Sequence, residues 1–146
     1  MCVLDLWPPV FGCVKQRTPA AVLQLVAAEL GRRMRNVVLA RVHRGEPDPP
    51  RLSDAEPDFI YTLDLVAPCL DHLGIPLLSI RHGVMMYPLI LTPRYPRKAA
   101  QINISTEGEF IEALRPLLGS DEMRRLINSV LTQSQVFISN GTVDDG

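Results

Sequence analysis

Residues 58–74 read DFIYTLDLVAPCLDHLG, and two structural readings compete for them. Phe59, Leu63, Val66, Leu70 and Leu73 recur at intervals of four, three, four and three, the spacing of one helix face. Pro68 opposes a helix, because a proline inside one removes a hydrogen bond and kinks it. The rival is a strand over 59–66 with a short helix after it. The longer stripe predicts a helix over 57–73, ended by Gly74, that covers a sheet instead of joining it.

Working outward, LLSIRHGVMMYPLILTP at 77–93 is the most apolar run of the chain. It predicts two strands, Pro76–Arg81 and Val84–Leu91, joined at a His82-Gly83 turn. Glycine supplies positive φ there, and histidine tolerates it better than most residues. Pro88 then belongs at an edge or a bulge. TPRYPRKA is a loop and QINIS a short strand. Thr106 and Ser120 stand where N-caps are needed, predicting helices at 107–118 and 121–134. Asp121 and Glu122 suit the second helix's dipole, and Pro116 bends the first.

Toward the N-terminus, Thr18-Pro19 reads as an N-cap with proline in the first turn, opening a helix over 19–35. NVVLARVH at 36–43 alternates as a half-buried strand does. Four prolines in 47–57 mark a loop, where Ser53 and Glu56 have capping-box spacing and Pro57 suits a first helical turn. Residues 1–17 form an apolar arm broken by Pro8 and Pro9, whose Trp7 and Phe11 are expected to tuck against the body or another subunit. Residues 18–138 form one α/β domain, and 139–146 a flexible tail. The fold class is α/β of the α+β type: a small, mostly antiparallel sheet with flanking helices and a C-terminal helical pair.

The 146 residues suffice for one domain whose core closes without metal or disulfide. Hydrophobic residues are 47% and charged residues 21%, which excludes a disordered chain. The net charge of −1 lacks the basic excess of a dedicated nucleic-acid binder. The three cysteines, Cys2, Cys13 and Cys69, are odd in number and irregularly spaced, unlike a secreted disulfide scaffold. Gly12-Cys13 follows apolar residues, but Asp5, Pro8 and Pro9 interrupt the run, so a lipoprotein signal is not expected. The expectation is a cytoplasmic protein with no membrane span.

Four sets of residues could carry chemistry. Arg81 and His82 could hold a phosphoryl group, imidazole attacking and guanidinium binding the oxygens. Against this, no histidine comes after His82, and VMMYPLIL at 84–91 suits a strand. Cys69 and His72, with Asp71 beside them and His82 in reach, could start a zinc site, but a structural site needs four converging ligands. No metal and no cofactor is expected. The chain carries no phosphate loop, dinucleotide fingerprint, nucleophile elbow or nuclease carboxylate–lysine pattern. Arg32, Arg33 and Arg35, with Arg94 and Arg97 around Tyr95, form an anion or nucleic-acid patch only if the fold brings them together.

These readings favour a non-catalytic, subunit-type interaction domain that pairs with itself or another protein. The alternative is an enzyme or binding domain for an anionic, phosphate-containing substrate using Arg81 and His82, with His72 or Asp64 assisting. A nucleic-acid accessory protein working through the arginine segments is the third and least expected.

Overall fold

The computed structural model describes residues 17–45 and 58–144, with side chains to Phe137. The element order is α1 (Pro19–Arg33), β1 (Leu39–Gly45), β2 (Phe59–Ala67), β3 (Leu73–His82), β4 (Leu89–Pro93), β5 (Ile102–Ile104), α2 (Glu107–Leu118) and α3 (Asp121–Asp144). The strands form one antiparallel sheet in sequential order, β1 to β5. The architecture is α+β, with the C-terminal helical pair expected from the two N-caps.

The three helices start where local chemistry places them. Thr18 Oγ1 accepts the Ala21 N–H at 3.1 Å, with Pro19 in the first turn. Thr106 Oγ1 accepts the Glu109 N–H, also at 3.1 Å, and Ser120 Oγ accepts the Met123 N–H at 3.2 Å. Each satisfies an amide that a helix start leaves unpaired. Beyond α1, Arg35 and Asn36 turn the chain in left-handed conformation, and the Asn36 N–H closes on the Gly31 carbonyl. Pro116 lies inside α2, which remains helical through Leu118.

Residues 59–67 are a strand at the centre of the β1–β2–β3 unit, not part of a helix over 57–73. The reason is a competing period. Phe59, Tyr61, Leu63, Leu65 and Ala67 alternate with Ile60, Thr62, Asp64 and Val66. Opposed residues of an antiparallel pair share a face. Tyr61 opposes Ile80 and Leu63 opposes Leu78, so the first set shares the face of the buried core. Pro68 ends the strand and opens a 3-10 turn, Pro68–Leu70. Asp71 and His72, both at positive φ, reverse the chain into β3.

The β3–β4 hairpin exists, but its turn is longer than His82-Gly83. His82 is the last residue of β3 and opposes Leu89, and 83–88 connect them. The Met86 N–H bonds the Gly83 carbonyl, and Met86 is at positive φ. Val84–Pro88 therefore lie outside β4, which starts at Leu89. The peptides before Pro88 and Pro96 are cis.

Between Leu63 and Asp64 the β2–β3 register slips, leaving Leu77 as the extra residue of a bulge. Successive strand residues normally face opposite ways, but here both Leu77 and Leu78 are buried. The Leu77 carbonyl accepts the Arg94 N–H at 2.8 Å. Leu63, Leu65, Leu78, Ile80, Leu89, Leu91 and Ile104 make the sheet's side of the core. Val22 and Leu23 of α1, Phe110 and Leu114 of α2, and Met123 and Val130 of α3 make the other.

All three helices pack on this one face. The opposite face carries Arg41, His43, Thr62, Asp64, Ser79, Arg81, Ile90, Thr92 and Asn103, and no described helix covers it. Residues 58–73 thus supply no covering helix, and the C-terminal pair shares the inner face with α1. Among the described residues no helix is long and apolar enough to cross a membrane.

Candidate functional site

Arg81 and His82 are neighbours in a strand, so their side chains leave on opposite faces. Arg81 stands on the open face and pairs with Asp58, its Nε donating to Oδ2 at 2.9 Å. His82 turns to the helix side and is buried. Its ring stacks on Phe59 and Tyr61, with centroids 5.5 and 5.9 Å away. The Arg44 guanidinium covers Phe59 at 5.1 Å, a cation–π contact that ends this stack in solvent. His82 Nδ1 lies 2.8 Å from the Gly83 carbonyl, to which it donates. His82 Nε2 is buried with no hydrogen-bond partner. A phosphoryl nucleophile needs an open approach with a cation on the same side, and this pair has neither.

His72 lies at the other end of β3, nine residues from Arg81's side of the hairpin, or about 30 Å along an extended strand. Cys69 belongs to the 3-10 turn beside His72, and the ligand set Cys69, His72 and His82 does not converge. Among the described residues no three His, Cys, Asp or Glu side chains are grouped to hold a metal ion. Asp64 is buried on the open face, where Oδ2 meets His43 Nε2 at 2.8 Å. Its Oδ1 is buried without a partner. The four catalytic candidates thus do not share one site, and His43, which no motif marked, is the nearest partner of one of them.

The arginines divide into two groups at the same end of the sheet. Arg32 and Arg33 both bind Glu29, with Arg33 Nε 2.8 Å from Oε1. The Arg33 hydrogen bond, with the charge of both arginines, holds the Glu29 carboxyl below its ordinary range. These cations are therefore partly neutralised within their own helix. Arg35 follows in the turn after α1. Arg94 and Arg97 lie beyond β4 beside Tyr95, whose ring sits 6.0 Å from the Arg97 guanidinium. With Ile75, Pro76 and Pro93 they line a small surface cavity. Strands β2 and β3 lie between β1, which follows the first group, and β4, which precedes the second.

Sequence reasoning missed an apolar concavity on the helix side of the sheet. It is a groove of about 530 Å³ between α1 and the α2–α3 pair, floored by Ala40, Leu63 and Leu77 of the sheet. Its walls are apolar, with Leu25, Val26 and Leu30 facing Ile111, Leu114, Leu118 and Ile127. Arg17, Glu29, Arg33 and Arg115 are its charged members. Leu25 is 53% exposed although it is an aliphatic wall residue. The alanines of α1 signal close packing on a sheet, but nothing in them reveals how far α1 stands from α2.

A second apolar feature lies on α3. Met123, Val130 and Ser134 are buried along one face. Phe137 falls three residues after Ser134 and seven after Val130, on the same stripe, yet is 57% exposed. The helix outruns the body it packs against. No family model, curated protein or solved structure matches the chain, so its architecture and these surfaces are the ground for any functional reading.

Proposed function

We propose that the chain is a non-catalytic, subunit-type interaction domain that associates with a second copy of itself through the distal part of α3. The supporting observation is the stripe that buries Met123 and Val130 and then continues, uncovered, to Phe137, with Val136 beside it 53% exposed. Apolar surface left in water at the end of an ordered helix favours a partner. A two-fold related copy presents the same stripe in return. At 24 residues α3 is about 36 Å long, enough to pack on the core and still offer several turns to a neighbour. The separation of Arg81 from His82 across the sheet lowers the support for the anionic-substrate reading. The charge of −1 and the Glu29 pairing of Arg32 and Arg33 do the same for nucleic acid. The odd, sparse cysteines favour the cytoplasm as its location.

Sedimentation equilibrium at micromolar concentration tests this. The wild-type chain is expected at twice its 16.3 kDa, and Phe137→Glu at 16.3 kDa with unchanged far-ultraviolet circular dichroism. Phe137 is already exposed, so the substitution spares the core. A wild-type mass of 16.3 kDa across the concentration range, or a dimer indifferent to Phe137→Glu, defeats the proposal.

A further inference from the structure

We propose that the groove between α1 and α2 is a docking site for the chain's own N-terminal segment, residues 3–11, with Trp7 and Phe11 as its anchors. The segment itself lies outside the described residues. Three things support its docking: where the chain enters, what the segment carries and what the groove needs.

Arg17, the first described residue, lines the groove. Its amide donates to Glu107 Oε1 at 2.7 Å, which ties the approach of the chain to the first turn of α2. Residues before Arg17 therefore depart from the groove's rim. Phe11 is six residues from Arg17 and Trp7 ten, spans of up to about 20 and 33 Å at roughly 3.3 Å per residue. The facing helix, α1, is 15 residues long, about 22 Å, so the two rings together reach along its whole length.

The segment supplies Val3, Leu4, Leu6, Trp7, Val10 and Phe11. Pro8 and Pro9 disfavour a helix and favour extended backbone, which a groove accepts without a hydrogen-bonded ladder. Asp5 is the only carboxylate among residues 1–16. Of the groove's charged side chains, Arg33 is held by Glu29 and Arg115 by Glu112, both at its rim, so the apolar side chains carry the docking. The volume of about 530 Å³ lies in the range that holds a drug-sized apolar group, far above what one ordered water fills. Leu25, exposed as the structure stands, gains the apolar neighbour it lacks. The inference is independent of α3 pairing, because the groove meets α3 only at Met123 and Ile127, whereas the pairing rests on its distal part at Val136 and Phe137.

Trp7 is the only tryptophan in the chain, so intrinsic tryptophan fluorescence reports this segment alone. In the full chain its emission is expected to be blue-shifted and shielded from acrylamide. Leu25→Glu places a carboxylate in the groove wall at an exposed helix position and is expected to shift the emission to the red. It should also raise the quenching constant at least twofold, with circular dichroism unchanged. Leu25→Ser is the milder variant if the first unfolds. In the Phe137→Glu background, and on dilution, the blue shift is expected to persist. Solvent-like emission from the wild type, or emission unmoved by a folded Leu25 variant, overturns the proposal. A blue shift lost on dilution together with dimer mass also overturns it, assigning the segment to a second copy.

Discussion

Tyr87 shows how one side chain can tie the molecule's stability to pH. Its hydroxyl is buried without a hydrogen-bond partner. Burial, and next the charge of Glu107, push the phenol above its ordinary value of 10.0. The folded state thus binds this proton more tightly than the unfolded chain does. The contribution is intact below pH 10 and is lost as pH rises through the folded value. Tyr87→Phe removes both the titration and an unsatisfied buried hydroxyl. It is expected to leave stability at neutral pH unchanged or higher by up to about 1 kcal/mol, and to flatten the alkaline decline. Urea midpoints on either side of pH 10 measure both effects. Arg81 and His82 differ from each other just as sharply. Their adjacency in sequence invites a joint role, yet strand alternation gives one to Asp58 and solvent and the other to Phe59 and Tyr61.

Among elements, the helices and β2 stand at opposite ends of legibility. α2 begins at Thr106 because the hydroxyl accepts the Glu109 amide while the Glu109 carboxylate returns toward Thr106 and the Ser105 amide. Thr106→Ala is expected to cost about 1 kcal/mol, measured as a shift in urea midpoint without a change in slope. Such caps close within a few residues and need nothing from the rest of the chain. β2 has no such local device. Its nine residues are flanked by strands on both sides, and the β-branched and aromatic members Phe59, Ile60, Tyr61, Thr62 and Val66 satisfy both neighbours at once. The helical stripe in 58–74 omitted Tyr61 and Leu65, which are inward members of the strand's period of two. Pro68, an obstacle to a helix, is the natural end of that strand.

At the scale of the whole fold, the described residues make two layers, one sheet and one set of helices, and this makes the two faces of a single strand unequal. Leu91 is fully buried under the helices, while Ile90 beside it is 38% exposed on the open face. Leu91→Ala is expected to cost about 2–5 kcal/mol, with a cavity left behind. Ile90→Ala should cost about 1 kcal/mol or less, since much of its surface stays in water on folding. Thermal or urea unfolding of the two variants side by side checks the arrangement, and equal losses would mean the open face is covered.

The amino-acid sequence by itself determined the helix starts at Thr18, Thr106 and Ser120, the loop at TPRYPRKA, the alternation that makes β1, and the short strand β5. Each is a contest settled within one or two turns of backbone. Tertiary structure alone decided that 59–67 is a strand, that the three described helices share one face, that a groove opens between α1 and α2, and that Phe137 lies past the end of the core. A strand's stability rests on ladders to partners far along the chain, here β1 and β3, and a groove or an overhang exists only as the distance between packed elements. Neither quantity is carried by any single stretch of residues.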